Sequence, residues 1–160
     1  MQNSAKDRAY IIAIQKGYKL KWHKFLIYWS LWVSALTALS QTAGLLTGSQ
    51  YGENARAVYD YYVGLEKVDV IFSILYLVLA AITIIGRFKL ANFSLSALKY
   101  LNAIYLLPPV VFLLYLVFFY FCTNVLEPSD LARLLGNFIG NGIVLSLTQL
   151  YYKKRKELFE

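Results

Sequence analysis

The residues of this sequence that could do chemistry are polar side chains set within long apolar stretches. Gln41, Asp69, Asn137 and Asn141 are the four that stand out. Asn137 and Asn141 are four residues apart and therefore share one face of a helix, from which each amide could reach Gln41 or Asp69. Two interpretations stay open. The amides join helices to one another, as amides inside a helix bundle commonly do, or the four residues form a polar pocket.

A charge and two glycines in the same stretches predict further contacts. Arg133 lies at a depth similar to that of Asp69 and is its natural partner in an ion pair. Gly136 and Gly140 form a small-xxx-small pair, which lets another helix approach the backbone closely. We interpret the pair first as helix packing within the bundle and second as a surface for self-association.

Signatures of an enzyme are missing from the sequence. His23 is the only histidine and lies among lysines, and Cys122 is the only cysteine. No Ser-His pair, Cys-His pair or cysteine metal site can therefore be assembled. No glycine-rich phosphate loop is present either. We predict a protein that is not an enzyme and that uses no metal and no cofactor.

The composition of the chain predicts the helices that position these residues. Hydrophobic residues make up 59% of the chain and charged residues 16%, against about 45–50% and about 25% in soluble domains. The apolar residues form four blocks long enough for a helix to cross a bilayer. The sequence therefore predicts an all-α fold, a four-transmembrane-helix bundle forming a single membrane domain over residues 1–160. The predicted spans are residues 25–46, 68–86, 100–125 and 131–152.

The distribution of cations predicts the direction of these spans. The net charge is +7, and most Lys and Arg residues lie before residue 25, between residues 87 and 99, and after residue 152. The other two links contain only Arg56 and Lys67 as basic residues. Because short cytoplasmic segments collect cations, we predict a multi-pass plasma-membrane protein with both termini in the cytoplasm. The charge then meets lipid headgroups and not nucleic acid, and the polar pocket would face outward.

Three shorter features complete the predicted architecture. Residues from about Ser4 to Lys16 predict a short cytoplasmic helix that begins with a serine cap. Asn54 to Leu65 predict a short amphipathic helix on the outer interface. The pair Pro108-Pro109 removes two backbone donors from the third span, so we expect a kink or local unwinding there.

Several stretches of the chain also carry a resemblance to known proteins. They are residues 21–28 (KWHKFLIY), 46–52 (LTGSQYG), 58–59 (VY) and 64–70 (GLEKVDV). These resemble a family of small four-transmembrane-helix proteins of gut Firmicutes with no characterised activity, some of which carry an N-terminal zinc ribbon that is absent here. The resemblance covers about residues 19–159. It implies a bacterial plasma membrane and no particular activity.

Two classes of function remain. We favour a non-catalytic scaffold or interaction subunit that assembles with itself or with a larger membrane complex through helix packing, because nothing in the sequence demands chemistry. The alternative is a small transporter or channel component whose polar residues line an outward-facing cavity. Four helices are few for a pore, so this alternative implies a homo-oligomer.

Overall fold

Every regular element of residues 5–159, the residues that this computed structural model describes, is a helix. The predicted all-α fold is therefore confirmed for this part of the chain. A π-helical turn, Leu26–Ser30, joins α2 to α3, and short 3-10 helices, Ser49–Asn54 and Lys156–Leu158, precede α4 and follow α7. The α-helices are α1 (Ala5–Gln15), α2 (Lys21–Phe25), α3 (Leu31–Thr47), α4 (Ala55–Tyr61), α5 (Leu65–Ala91), α6 (Ala97–Thr123) and α7 (Pro128–Lys153).

Three of these helices, α5, α6 and α7, are long and apolar enough to cross a membrane. Helices of 27, 27 and 26 residues extend about 40 Å, more than the ~30 Å of a bilayer core. Each begins three residues before its predicted span. For α7 the cause is local, because Pro128 occupies the first turn and Glu127 and Asp130 form a capping box.

The first predicted span, residues 25–46, has a more complex structure. A helical run extends from residue 21 to residue 47, but the π turn divides it and leaves α3 with 17 residues. The carbonyl of Ile27 within that turn accepts a hydrogen bond of 3.0 Å from Arg87 Nε, and the Arg87 guanidinium lies 4.6 Å from the ring centroid of Trp32. The second predicted span was expected to end at Gly86. The helix itself continues beyond that residue, since α5 extends to Ala91 and Arg87 contacts the first helical run.

The shorter elements follow the sequence only in part. The N-terminal helix is α1, and its expected serine cap, Ser4, lies outside the described residues. The outer helix predicted over residues 54–65 is the shorter α4, because Gly64 with φ +92° starts a new helix. The local unwinding predicted at Pro108-Pro109 is wrong, since α6 stays helical through both prolines, and the alternative, a kink, stays a prediction. Proline removes backbone donors but its φ suits a helix, and α5 and α7 pack against α6.

The four longest helices pack side by side in the order α3, α5, α6 and α7. Helix α5 packs against α3 and against α6, and α6 in turn contacts α7. Gly86 allows α5 and α6 to approach closely, since a Cβ at this position would lie 2.7 Å from Ile104 Cδ1. The buried residues of α7 are Leu145, Thr148 and Tyr152, all in its C-terminal half. The N-terminal half of α7 is therefore packed less closely than its C-terminal half.

The first and last described segments of the chain meet at one end of the bundle, called here the terminal end. Lys16 forms a salt bridge with Glu157, and the Tyr18 hydroxyl donates to the same carboxylate at 2.6 Å. These hydrogen bonds lower the pKa of Glu157 and raise that of Lys16. The opposite end, where residues 48–64 connect α3 to α5, is called the loop end.

A buried histidine lies next to this contact. His23 is 1% exposed, its ring stacks on that of Phe93 with 4.3 Å between centroids, and its Nδ1 lies 2.8 Å from the Tyr152 hydroxyl. Its Nε2 has no hydrogen-bond partner among the residues described. Burial lowers the pKa of His23 to about 4, so the imidazole is neutral near pH 7.

Candidate functional site

Asp69, in the second turn of α5, is the most strongly hydrogen-bonded side chain at the loop end. Asp69 is fully buried, and its carboxylate accepts four hydrogen bonds from described residues. An ionised carboxylate only accepts hydrogen bonds, so each donor meets an acceptor. This group is called the Asp69 cluster. Oδ2 accepts from Tyr59 (2.9 Å), Tyr51 (3.0 Å) and Gln50 (3.1 Å), and Oδ1 accepts from Tyr115 (3.1 Å).

The connection between α3 and α5 supplies most of the donors. The 3-10 helix Ser49–Asn54 carries Gln50 and Tyr51, α4 carries Tyr59, and α6 carries Tyr115. The chain turns back at Gly48, which has φ +66° and whose carbonyl accepts a hydrogen bond of 2.9 Å from the Tyr51 amide. Residues 49–61 are thereby folded onto α5.

Gly48 is under two constraints that a substitution can separate. A Cβ there would lie 2.9 Å from Ala55 Cβ and 3.0 Å from the Tyr59 hydroxyl, whereas one at Gly64, which is also left-handed with φ +92°, would meet no atom within 4 Å. We expect Gly64→Ala to lower the free energy of unfolding by about 1 kcal/mol through backbone strain alone. Gly48→Ala adds the steric cost and should lose about 2–4 kcal/mol. Thermal unfolding in detergent measures both, and equal losses would contradict the close packing.

The tyrosines from the connection remain protonated donors. Burial raises the pKa of Tyr51 and of Tyr59 well above the ordinary value for tyrosine. Proximity to the Asp69 carboxylate raises both values further, because a phenolate beside a carboxylate would be repelled. The Asp69 cluster therefore keeps its donors across the physiological pH range.

The predicted ion pair between Asp69 and Arg133 is wrong. No salt bridge joins these two residues, both of which are described. Neutral donors occupy the Asp69 carboxylate, while the Arg133 guanidinium lies 5.7 Å from the ring centroid of Phe112. Similar depth in the membrane did not make Arg133 the partner of Asp69, because the hydroxyl groups of Tyr51 and Tyr59 already donate to its carboxylate.

The other three residues of the predicted polar pocket line one cavity. This cavity has a volume of about 220 Å³ and lies among α3, α5, α6 and α7. Gln41 lines it from α3, and Asn137 and Asn141 line it from α7 together with Arg133. Asp69 is not part of its wall. The predicted set is therefore divided, with three members at the larger cavity and the fourth in the Asp69 cluster.

A smaller cavity of about 170 Å³ adjoins the larger one towards the loop end. Gln41 and Arg133 line both cavities, as do Tyr76 and Phe112. Gln50, Tyr51 and Tyr115 of the Asp69 cluster line the smaller cavity. The two cavities form a series that runs from the loop end towards the middle of the bundle.

Buried apolar side chains limit the larger cavity on the terminal side. Leu31, Leu101 and Leu145 belong to the buried core there, each about one turn beyond a residue that lines the cavity. Tyr105 is also buried in this layer, and its hydroxyl lies 3.4 Å from Ser30 Oγ. These buried side chains lie between the cavity series and the terminal end.

The polar lining of the larger cavity is only partly satisfied by the protein. The Asn141 side-chain amide donates to the Asn137 carbonyl at 2.8 Å. The side chains of Gln41, Arg133 and Asn137 make no hydrogen bond or salt bridge with a residue that the structure describes. Their N–H groups are therefore free to bind another molecule.

Gly136 and Gly140 do not pack helices together within the chain. A Cβ added at either glycine would meet no atom within 4 Å. Our first interpretation of the pair, packing inside the bundle, is therefore wrong, because these glycines face away from the helix that α7 contacts. Self-association is not tested by this result and stays a prediction.

Sequence reasoning missed the donors of the Asp69 cluster. Tyr115 lies within the third predicted span and Tyr59 within the predicted amphipathic helix, and neither was predicted to contact Asp69. One signal was available, because the link that leads into the second span contains Gln50, Tyr51 and Tyr59, whose side chains can donate hydrogen bonds. A buried acid there needs nearby donors.

Comparisons of this chain with protein-family models, with curated proteins and with solved structures give no match.

Proposed function

We propose that this chain is a plasma-membrane protein that crosses the bilayer four times. Three of the crossings are α5, α6 and α7, which are long enough to span. We assign the fourth crossing to the predicted span 25–46, which lies within the helical run 21–47. The salt bridge between Lys16 and Glu157 supports four crossings. The segments before the first crossing and after the last can meet on one side of the membrane only if the number of crossings is even.

The cytoplasm is the proposed location of the terminal end. Its support is the cation pattern, since the segments that meet there carry most of the Lys and Arg residues. The loop end then faces the outside. A bacterial membrane is the location that the resemblance to the Firmicutes family implies.

The function we propose within that membrane is binding of a polar ligand in the cavity series, as a non-catalytic small transporter or channel component. One observation carries the proposal. Gln41, Asn137 and Asn141, which are costly to hold in a bilayer, line the same cavity with Arg133. A polar cavity near the loop end, with buried apolar side chains between it and the terminal end, is the form expected of one state of a transporter.

Thiol labelling tests whether water enters this cavity. We expect Asn141→Cys, on a Cys122→Ser background, to react with a membrane-impermeant thiol reagent at least ten times faster than Ile139→Cys. Ile139 is 62% exposed on α7 and lines neither cavity, so it should face lipid. Labelling of Asn141→Cys as slow as that of Ile139→Cys would refute the proposal.

Assembly through α7 is the second candidate function, and it corresponds to a scaffold or interaction subunit. The observation that favours it is the open space beside Gly136 and Gly140, where a helix of a second copy could approach closely. Because four helices form a narrow bundle, such a homo-oligomer could also enclose the cavities.

Substitutions with leucine test this assembly. We expect Gly136→Leu to convert an oligomer into a monomer in mild detergent, measured by light scattering. Gly142→Leu is the matched control, because Gly142 also has open space but lies roughly 140° around the helix from the Gly136/Gly140 face. A wild-type protein that is monomeric in detergent and in nanodiscs would exclude self-association.

A further inference from the structure

Arg133 is a cation without a counterion in the wall of the larger cavity. It lies five residues beyond the start of α7, about 7 Å along the helix axis. No described residue forms a salt bridge with it. Arg133 is exposed and lies two residues inside the predicted span 131–152, where an unpaired guanidinium favours an anion.

Nearby acids are engaged elsewhere. The Asp69 carboxylate accepts its hydrogen bonds from the Asp69 cluster. Asp130 lines the smaller cavity, but it belongs to the capping box of α7, where its Oδ2 lies 3.4 Å from the Glu127 amide. Arg133 is the only charged residue that lines the larger cavity. The electrostatic potential of that cavity should therefore be positive.

The neutral groups beside Arg133 can also donate hydrogen bonds. Gln41 and Asn137 each have a side-chain amide with no protein partner among the described residues, and both line the cavity. A guanidinium fork flanked by amide donors is the arrangement that binds a carboxylate or a phosphate. The hydroxyls of Ser34 and Thr37 already donate to the carbonyls one turn earlier, so the hydrogens offered to a ligand come from Arg133 and the amides.

Apolar side chains also line the larger cavity, between the polar ones. Val33, Leu79, Ile104 and Pro108 line it, and the volumes of about 220 and 170 Å³ together fall within the roughly 300–1,000 Å³ of ligand pockets. A ligand with one anionic group and an apolar body would match both parts of the lining.

We propose that the cavity binds an anionic amphiphile, with Arg133 bound to its carboxylate or phosphate and Gln41 and Asn137 donating hydrogen bonds to the same group. This inference rests on the proposed function and adds the class of ligand. A free organic anion and the headgroup of an anionic lipid share this chemistry, and the experiment separates them.

The test uses purified full-length protein in a zwitterionic detergent and in nanodiscs. Octanoate and octyl phosphate are the soluble probes, measured by thermal shift against octyl glucoside, which has the same chain and no charge. Phosphatidylglycerol, measured by native mass spectrometry against phosphatidylcholine, is the lipid probe. We expect wild-type protein to prefer an anionic probe at least tenfold over its neutral or zwitterionic counterpart. Preference for a soluble probe alone indicates a free anion, and preference for phosphatidylglycerol alone indicates a lipid.

Substitutions in the cavity wall test whether the anion binds in the larger cavity. Arg133→Gln should reduce anion affinity at least tenfold, and Arg133→Lys should restore part of it. Arg56→Gln, an exposed cation on α4, should change affinity less than twofold. Asn137→Leu leaves the charge in place and removes a donor, so a several-fold loss is expected, and this variant decides the question should Arg133→Gln fail to fold.

Two results would overturn the inference: no preference for any anionic probe, or equal anion affinity in wild type, Arg133→Gln and Asn137→Leu. If either result occurs while Asn141→Cys labels rapidly, the cavity remains a hydrated polar site and only the class of ligand is wrong. Slow labelling of Asn141→Cys together with absent anion binding would reject the proposed function as well.

Discussion

Asp69→Asn is expected to lower the free energy of unfolding by about 2–4 kcal/mol, because hydrogen bonds to a charged group are each worth about 1.5–3 kcal/mol and those to a neutral amide about 1 kcal/mol. The amide also carries two N–H donors, and they would point at a cluster that is already rich in donors. The Asp69 residue is fully buried, so these two new N–H donors would have no contact with solvent. Chemical or thermal unfolding of the purified protein in a mild detergent measures the loss.

Asp60→Asn is the matched control for this substitution. Asp60 is an exposed carboxylate on α4, and its change should alter stability by less than about 0.5 kcal/mol. Limited trypsin digestion gives a second readout, because Arg56 lies on the segment that the Asp69 cluster attaches to α5. Cleavage after Arg56 should become faster in Asp69→Asn and not in Asp60→Asn. Wild-type stability and wild-type cleavage in Asp69→Asn would show that the cluster does not hold the segment.

Acid is expected to destabilise the terminal end through His23. Its pKa is about 4 in the folded protein, against an ordinary histidine pKa of 6.5, so the unfolded state binds more protons between these values and stability rises with pH. The contribution is complete above pH 6.5 and is lost as pH falls towards 4. By about pH 5 the loss is about 2 kcal/mol, and full protonation costs about 3 kcal/mol.

His23→Gln separates this effect from other acid-sensitive contacts. Glutamine can accept a hydrogen bond from Tyr152 and does not titrate, so the variant should lose less stability between pH 6.5 and 5 than wild type. Glu157, whose pKa is lowered by Lys16 and Tyr18, keeps its contribution in both proteins and loses it only in stronger acid. Parallel pH profiles of the two proteins would contradict a role for His23.

Hydropathy predicted the long helices well, because a bilayer sets both the length and the apolar character of a crossing. It could not predict the π turn before α3, since Leu26–Ser30 are as apolar as their neighbours and hydropathy does not report the hydrogen-bond register. For the same reason the contact of Arg87 with Ile27 was not foreseen. Arg87 was interpreted only as the end of a span, although a side chain of its length reaches an adjacent helix.

Spacing along a helix predicted part of the site. Asn137 and Asn141 were placed on one face because they are four residues apart, and both line the larger cavity with Gln41. Charge alone gave the wrong partner for Asp69, because the long connection after α3 folds back and delivers Tyr51 and Tyr59 to that acid. Such a fold-back depends on the left-handed turn at Gly48, and a one-dimensional pattern does not report it.

The donors of the Asp69 cluster have a second neighbour, the smaller cavity, which Gln50 and Tyr115 also line. A molecule in that cavity that accepts a hydrogen bond from either residue competes with Asp69 for the same N–H or O–H group. By thermodynamic reciprocity, a ligand that loosens the connection binds more tightly when the connection is already loose. The attachment of residues 49–61 to α5 would then depend on whether the smaller cavity is occupied.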